Sequence, residues 1–193
     1  MHDIVIVGAG AMGCLFAARL AESGAAATLV DIDRARLDAL DRDGVTLEDD
    51  SGTRTVAIAA RTAGELSIAP DLILLFTKGL HSIAAIRSVA HLAGPDTYAL
   101  TLQNGIGNVE ALTEVFAADR ILMGVTDYPS NLEGPTRVSS HGDGRVHLGS
   151  YEPRSSATAA AEVASLLNRA GLNADVSAAI GVAMWEKVAF NAA

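Results

Sequence analysis

The sequence predicts an α/β fold built on a doubly wound, mostly parallel sheet. Three observations support this prediction: short β-branched apolar runs alternate with helical segments, 50% of the residues are hydrophobic, and a glycine-rich turn follows the first strand. Strands that crossover helices bury on both faces are apolar along their whole length, as these runs are. A chain of 193 residues is long enough for one full domain and the beginning of a second.

The first two thirds of the chain show the clearest alternation. Apolar runs bounded by turn residues predict strands, and longer segments that end at glycine predict helices. The expected strands are 4–7, 27–30, 72–76, 98–102 and 121–125, and the expected helices are 11–23, 33–40, 82–92 and one from about 109. Residues 45–60 alternate around Asp49-Asp50-Ser51-Gly52, which predicts a hairpin.

The pattern changes in the last third of the chain. Residues 138–141 and 145–148 flank Gly142-Asp143-Gly144, which predicts a second hairpin. An Ala-rich helix over 156–170 follows, then a short strand over 174–176. A final helix is expected from about 178 to the end of the sequence.

The composition excludes several classes of function. The formal net charge is −9, and an acidic chain repels phosphodiester backbones, so we expect no nucleic-acid partner. The five histidines show no metal-ligand spacing, so we expect no metal site. The single cysteine, Cys14, cannot form an internal disulfide, which fits a reducing cytoplasm. The uncharged stretch between Asp3 and Arg19 is interrupted by glycines and is too short to span a membrane, so we expect no membrane partner.

A glycine fingerprint lies between the first strand and the first helix. Residues Gly8-Ala9-Gly10-Ala11-Met12-Gly13 match G-x-G-x-x-G in the context that the motif requires. The first glycine permits a tight turn, the second lets the backbone approach a pyrophosphate, and the third lets the helix pack close to the strand. The free N–H groups of the helix N-terminus then face the phosphates. All six residues are therefore expected to bind a dinucleotide in a Rossmann-type site; the alternative is an ordinary strand-to-helix turn.

Asp31 closes the second strand, where an acidic residue meets the adenosine ribose in such folds. Its carboxylate is expected to bind the ribose hydroxyls and to repel a 2′-phosphate, which favours NADH over NADPH. Asp33 adds a second negative charge, whereas Arg34 and Arg36 could in principle neutralise a phosphate. The alternative is that Asp31 only caps the following helix.

Several segments, in order, resemble the ketopantoate reductase (2-dehydropantoate 2-reductase) family. They are the glycine-rich start, Thr77-Lys78, residues 102–107 (LQNGIG) and residues 185–191 (WEKVAFN). The resemblance covers the whole chain, and Asn-Gly-x-Gly and Trp-x-Lys-x-x-x-Asn are its most specific parts. It implies reduction of a 2-keto acid to a D-2-hydroxy acid by a nicotinamide hydride, with NADPH as the usual family cofactor. The best-known member makes pantoate for coenzyme A synthesis.

The resemblance also assigns roles to polar residues. Lys187 matches the catalytic lysine, Asn191 a substrate-binding asparagine, Asn104 an asparagine at the nicotinamide and substrate, and Lys78 a lysine near the cofactor. Ser130 falls, in a looser alignment, near a small residue that contacts NADP. The spacing agrees, because residues four apart lie on one helix face, and an ammonium there can stabilise an oxyanion and donate a proton. The alternatives are solvated lysines and, for Asn104, an ordinary turn residue.

The resemblance further implies a division of the chain. Residues 1–177 are expected to form the dinucleotide-binding domain, and 178–193 to begin a truncated helical domain for substrate binding and dimerisation. We expect a homodimer, and expect the 193 residues alone to bind cofactor but to turn over slowly. Two alternatives stay open: an NAD-dependent D-2-hydroxyacid dehydrogenase of the D-mandelate type, and a non-catalytic NAD(H)-binding fragment or redox-sensing module.

Overall fold

Two sheets form the framework of the computed structural model, which describes residues 1–105, 107–152 and 157–192, with side chains as far as residue 189. The strands are β1 (Asp3–Val7), β2 (Ala26–Val30), β3 (Val45–Asp49), β4 (Gly52–Val56), β5 (Ala59–Arg61), β6 (Leu72–Leu75), β7 (Tyr98–Thr101), β8 (Ile121–Thr126), β9 (Asn131–Glu133), β10 (Arg137–Ser140), β11 (Val146–Ser150) and β12 (Ala174–Val176). The α-helices are α1 (Ala11–Glu22), α2 (Arg34–Asp43), α3 (Ser82–Ser88), α4 (Asn108–Thr113), α5 (Ala157–Arg169) and α6 (Ile180–Ala192).

The larger sheet has eight strands in the order β12-β11-β8-β7-β6-β1-β2-β5. Neighbouring strands are parallel except β8 and β11, which are antiparallel. The predicted Rossmann-like, mostly parallel sheet is therefore confirmed. The chain moves from β1 to β2 and β5 on one side and continues from β6 to β8 on the other. The order reverses between β1 and β6, and open α/β sheets bind ligands at the carboxyl ends of strands at such a point.

The hydrophobic core covers both faces of this sheet. Along β1, Ile4 and Ile6 pack on the face covered by α1 and α5, whereas Val5 and Val7 pack on the face covered by α3 and α4. This alternation explains why the central strands are apolar at every position, since successive side chains enter opposite layers.

The first predicted hairpin is present, but it belongs to the smaller sheet. β3 and β4 are antiparallel neighbours in a four-stranded sheet with the order β4-β3-β10-β9. The end of the segment predicted as a hairpin, which forms β5, does not join the smaller sheet. It pairs instead with β2 at the edge of the larger sheet. β9 was not predicted from the sequence.

The second predicted hairpin is wrong. β10 and β11 do not pair with each other: β10 pairs with β3 and β9, and β11 pairs with β8 and β12. The segment between them crosses from one sheet to the other. His141 Nδ1 and the Gly142 N–H contact the carboxylate of Asp50 at 3.0 and 2.8 Å, and the Arg145 N–H donates to Asp127 Oδ1 at 2.5 Å.

The helices follow the expected order with changes at their ends. The helix predicted over 82–92 ends at Ser88, and a 3₁₀ turn (Ala90–Leu92) follows it. The predicted start of the fifth helix at 156 lies outside the described residues. The last helix begins at Ile180, and it packs against β8 and β11. Among the helices that the structure describes, none is long and apolar enough to cross a membrane.

Candidate active site

The glycine loop after β1 has the three local properties that its fingerprint predicts. Gly8 has φ +109°, and a Cβ atom there would lie 2.8 Å from the backbone nitrogen of Thr77 after β6. A Cβ on Gly13 would lie 1.9 Å from the Gly8 carbonyl oxygen, so only glycine lets α1 pack this closely. A Cβ on Gly10 would meet no atom within 4 Å, so this position faces open space at the start of α1.

Asp31 holds the glycine loop through hydrogen bonds to backbone groups. Its Oδ2 accepts from the Ala9 N–H at 2.7 Å, and its Oδ1 accepts from the N–H groups of Ile32 and Asp33 at 2.7 and 3.2 Å. The cap of α2 is Asp33, which accepts from the Arg36 N–H at 3.1 Å. Asp31 therefore joins the end of β2 to the loop after β1, a role that the sequence reasoning did not anticipate.

A cleft of about 630 Å³ opens beside this loop, and we call it the glycine-loop cleft. It lies between the loops that follow β1, β2 and β6. Among the residues that line it are Gly8, Gly10, Asp31, Ile32, Thr77 and Lys78. Ile32 is 94% exposed, which leaves an apolar side chain available at the rim.

Neither arginine near Asp31 is free in the cleft. Arg34 donates to Asp38 at 2.9 Å and to Glu65 at 2.8 Å, and its hydrogen bond with Glu65 raises its already high pKa. Arg36 reaches the buried Cys14, with Nη2 4.0 Å from Sγ. Burial raises the pKa of the Cys14 thiol, which keeps that group protonated.

A second, smaller cleft of about 330 Å³ continues along the carboxyl edge of the sheet, and we call it the middle cleft. Lys78 and Asn104, two of the predicted site residues, both line it, together with Met12 of the glycine loop. Thr77 and Lys78 also line the glycine-loop cleft, so the two spaces adjoin. Ser130 lies behind this region, with its hydroxyl 2.8 Å from Met12 Sδ.

A buried hydrogen-bond network holds the loop that carries Asn104. The Gln103 amide donates to the Thr77 carbonyl and to Ser82 Oγ, the latter at 2.9 Å. Ser82 Oγ donates to Asn108 Oδ1 at 3.1 Å, and Asn108 Nδ2 donates to the Asn104 carbonyl at 3.0 Å. Satisfied buried networks of this kind fix the backbone that they join. The sequence reasoning missed Gln103 and Asn108 as positioning residues, although both lie in or next to the quoted LQNGIG segment.

The third and largest cleft, about 900 Å³, lies between α6 and the strands β8, β11 and β12, and we call it the lysine cleft. Lys187 and Asn104 both line it, although 83 positions separate them (187 − 104). Asn104, Thr126 and Tyr128 line the middle cleft as well, so the lysine cleft adjoins the middle cleft, which in turn adjoins the glycine-loop cleft.

Lys187 is half-buried, and its ammonium donates a hydrogen bond to the backbone carbonyl of Thr126. Burial lowers the pKa of Lys187, because the charged form loses solvation, and the nearby Asp127 carboxylate partly offsets this effect. The result is a cation with few competing partners at the wall of a polar cleft. Such a group can stabilise negative charge on a ligand oxygen and donate a proton to it.

Asn191 lies one helical turn beyond Lys187 on α6. Its side chain is outside the described residues, so its predicted place beside the substrate stays a prediction.

Comparison with known proteins agrees with this geometry. The family model of ketopantoate reductase PanE/ApbA matches residues 4–153. A 2-dehydropantoate 2-reductase of Streptococcus pyogenes is 32% identical over 188 residues, which are 97% of this chain and 61% of that protein. The enzyme of the same name from Pyrococcus horikoshii is 34% identical over 191 residues, 98% of this chain and 61% of that protein. The chain thus spans about three fifths of the length of these relatives.

Solved structures show the same relationship. The 2-dehydropantoate 2-reductase from Geobacter metallireducens superposes with a TM-score of 0.90 at 33% identity, covering 97% of this chain and 62% of that one. D-Mandelate dehydrogenase in complex with NADH and anilino(oxo)acetate has a TM-score of 0.90 at 29% identity, covering 95% and 59%. The family model matches residues 4–153, which make up most of this chain. Together with the identities of these relatives, this match shows that the chain belongs to the ketopantoate reductase PanE/ApbA family.

Proposed function

We propose that this protein reduces a 2-keto acid to the D-2-hydroxy acid with a nicotinamide cofactor, and that 2-dehydropantoate is its substrate. One observation carries the proposal: the half-buried Lys187 lines a cleft that shares Asn104 with the middle cleft, and the middle cleft shares Lys78 with the cleft beside the glycine loop. Lys187 is the group in this cleft that can attract a small anionic substrate, since the other charged residues of the lining are the carboxylates of Asp127, Asp175 and Glu186. The names of the relatives support 2-dehydropantoate as that substrate.

The residues around the glycine loop fit a dinucleotide. Gly10 leaves open space where α1 begins, and α1 has no side-chain cap, so its first N–H groups are available to a pyrophosphate. The glycine-loop cleft would hold the adenosine half, and the middle cleft, with Lys78 and Asn104, would hold the nicotinamide half. A reduced nicotinamide supplies a hydride when bound.

The residues of this chain would handle the charge and the proton. When the keto carbon accepts a hydride, negative charge develops on the keto oxygen. The Lys187 ammonium stabilises that charge and transfers its proton to the oxygen, which completes the hydroxyl group. The lowered pKa of Lys187 makes this proton easier to give, because the neutral amine is less penalised in the cleft. The Asn104 side-chain amide, on the loop that Gln103 and Asn108 hold, would orient the substrate.

NADH is the cofactor that the residues at the end of β2 favour. Asp31 places a carboxylate in the glycine-loop cleft, and Arg34 is already paired with two carboxylates. A 2′-phosphate beside Asp31 would meet like charge, and Lys78, which lines the same cleft, follows β6 rather than β2.

A second candidate function has support from one comparison. D-Mandelate dehydrogenase, whose structure contains NADH, resembles this chain as closely in fold as the reductases do. An NAD-dependent D-2-hydroxyacid dehydrogenase would use the same Lys187 as a base in the reverse direction. A purely non-catalytic NAD(H)-binding module is disfavoured, because it would have no need of a half-buried lysine at the substrate cleft.

We also infer that the protein acts in the cytoplasm as a homodimer. Its one cysteine, Cys14, is buried and unpaired, which suits a reducing compartment. Val182 and Trp185 on α6 are 58% and 63% exposed, and apolar side chains of this size commonly cover each other in a symmetric interface. Light scattering over a range of concentrations tests the dimer.

The central experiment combines binding and turnover on one sample. NADH and NADPH are titrated by calorimetry, and reduction of 2-dehydropantoate and of phenylglyoxylate is followed by nicotinamide absorbance. We expect nucleotide binding, faster reduction of 2-dehydropantoate, and a D-configured product. Binding of nucleotide without reduction of any 2-keto acid would favour the non-catalytic alternative, and faster reduction of phenylglyoxylate would favour the mandelate-type dehydrogenase.

A further inference from the structure

The wall of the lysine cleft that β11 and β12 form carries a histidine–aspartate pair that the proposed chemistry does not use. His147 Nδ1 lies 2.7 Å from Asp175 Oδ1, and both residues line the cleft. Their side chains are 39% and 56% exposed, so a ligand in the cleft can reach them. Ser177, two residues after Asp175, adds a hydroxyl to the same wall.

The sheet register places this pair close to the proton donor. His147 is the direct partner of Val125 on β8 and of Asp175 on β12, so the three side chains share one face of the sheet. Thr126, whose carbonyl holds Lys187, is the next residue after Val125. Directly opposed residues on antiparallel strands have Cα atoms only about 4.5–5.5 Å apart. The imidazole and Lys187 therefore line one cleft, in which a bound keto acid would contact both.

We propose that His147, held by Asp175, receives the tail of the keto acid and selects 2-keto acids whose tail carries a hydroxyl over those with an aromatic tail. This inference rests on the proposed function and extends it to substrate choice. It assigns the wall formed by β11 and β12 a role in substrate specificity, and this role is separate from the proton transfer at Lys187.

The hydrogen-bonding chemistry of the pair explains the preference. Nδ1 is engaged by Asp175, which leaves Nε2 as the free ring nitrogen. A neutral imidazole accepts a hydrogen bond at Nε2, whereas a protonated one donates there, and a hydroxyl can satisfy either state. An aromatic tail can neither donate nor accept such a hydrogen bond. It would displace water from the imidazole and the carboxylate without replacing the hydrogen bonds that are lost. Sites built to hydrogen-bond a substrate hydroxyl discriminate strongly against analogues that lack it.

The test compares equilibrium binding of two acids that differ only in their tails. 2-Dehydropantoate carries a terminal hydroxyl and phenylglyoxylate a phenyl ring, while both share the keto acid group, so the contacts of Lys187 and Asn104 cancel in the ratio of their dissociation constants. Titrations are made with saturating NAD⁺, which cannot reduce either acid. We expect wild-type protein to bind 2-dehydropantoate more tightly, and His147→Phe to shift the ratio by about tenfold toward phenylglyoxylate.

Two further variants make the result specific. His141→Phe removes another exposed histidine that is paired with an aspartate, Asp50, but lies at the end of the smaller sheet outside the lysine cleft; it should leave the ratio unchanged. His147→Gln retains a polar side chain and should stay close to wild type, which separates hydrogen bonding from ring size. If His147→Phe does not fold, His147→Leu replaces it with the same expectation.

The outcomes distinguish a failure of the proposed function from a failure of the role of His147. If wild-type protein binds neither acid, the proposed function fails and this inference fails with it. If it binds both but the apolar variants keep the wild-type ratio within about twofold, the role of His147 is refuted while the proposed function stands. A shift of equal size in His141→Phe would also refute that role, because it would arise outside the cleft.

Discussion

The ammonium of Lys187 donates a hydrogen bond to the backbone carbonyl of Thr126, across 61 positions of the sequence. This contact joins α6 to the carboxyl end of β8, beside the path of clefts that starts at the glycine loop. It gives the ammonium a partner that cannot take its proton, because a backbone carbonyl has no useful basicity at neutral pH. Lys187 is therefore oriented in the cleft by a partner that does not compete for its proton.

Replacing Lys187 by alanine should separate chemistry from nucleotide binding. The variant loses the proton donor and the charge that stabilises the keto oxygen, and each contribution is worth about 10²–10⁴ in rate. We expect turnover of 2-dehydropantoate to fall by several orders of magnitude while NADH affinity stays close to wild type, since Lys187 does not line the glycine-loop cleft. Steady-state kinetics and calorimetry on the same samples measure both. A near-normal kcat would remove Lys187 from the mechanism.

Asp127→Asn should move the pH profile of reduction. The Asp127 carboxylate raises the pKa of Lys187 against the effect of burial, so its loss lets that pKa fall further. Reduction needs the ammonium form, and the rate declines as pH rises through this pKa. The alkaline limb of the pH profile should therefore move to lower pH. Asparagine retains an oxygen that can accept from the Arg145 N–H, so the loop stays in place.

Glu186→Gln is the matched control for that shift. Glu186 lines the same cleft and precedes Lys187, but it does not contribute to the pKa shift of Lys187. The alkaline limb of the pH profile of Glu186→Gln should coincide with that of the wild-type protein. If the alkaline limb of the pH profile moves equally in both variants, any carboxylate in the cleft affects Lys187 through its charge. Asp127 would then have no specific role.

Two glycines of the fingerprint should respond differently to alanine. In Gly13→Ala the new Cβ would lie 1.9 Å from the Gly8 carbonyl oxygen, which forces α1 away from β1 and lowers the free energy of unfolding by about 3 kcal/mol. In Gly10→Ala the Cβ meets no protein atom within 4 Å, and the backbone is ordinary extended chain, so stability should hardly change. NADH affinity should nevertheless fall about tenfold or more, because the methyl occupies the space of the pyrophosphate. Denaturant unfolding and nucleotide titration distinguish the two effects.

The charge at Asp31 should set the choice of cofactor. Wild-type protein is expected to bind NADH more tightly than NADPH at low salt, and Asp31→Asn should reduce that preference by about tenfold, because the repulsion of the 2′-phosphate is removed. Affinity for both nucleotides should also fall, since an asparagine NH₂ cannot accept the hydrogen bond from Ala9. Wild-type binding of NADPH as tight as that of NADH would contradict the assignment and direct attention to Arg36.

Asp49 should make the fold sensitive to acid. This buried carboxylate is 3% exposed and accepts from Arg54 at 2.9 Å and from Arg19 at 2.8 Å; the bond with Arg54 is the main reason for its lowered pKa. A depressed pKa in the folded state stabilises the protein above the unfolded-state pKa, and this contribution is lost as pH falls through the folded-state pKa. Asp49→Asn should cost about 2 kcal/mol near neutral pH, toward the low end for a broken buried pair because both arginines are partly exposed. The difference from wild type should shrink in acid.

Asp43→Asn serves as the comparison for Asp49. Asp43 is also paired with an arginine, its neighbour Arg42, but both side chains are about half or more exposed. Solvent screens such a pair, so urea unfolding at neutral pH should show no measurable change. A loss of stability similar to that of Asp49→Asn would show that burial is not the source of the effect.

Local sequence patterns determined the class of fold and much of the candidate site. The apolar run over β1 and the glycines at 8, 10 and 13 act within a few residues of each other, so their spacing alone predicts a strand, a turn and a helix N-terminus. Physical constraints of this kind need no knowledge of distant parts of the chain. For the same reason the predicted strands 72–76 and 98–102 lie within a residue of β6 and β7.

Tertiary structure decided which strands pair and which side chains meet. Gly142-Asp143-Gly144 permits a turn, but the partner of β10 is chosen by burial of Val138 with Val45 and Leu47 in the core. Three contacts join residues that are more than 20 positions apart: Asp31 with Ala9, Gln103 with Ser82, and Lys187 with Thr126. Such pairings depend on where apolar surfaces and unsatisfied backbone groups converge after the whole chain has collapsed, and no local pattern contains that information.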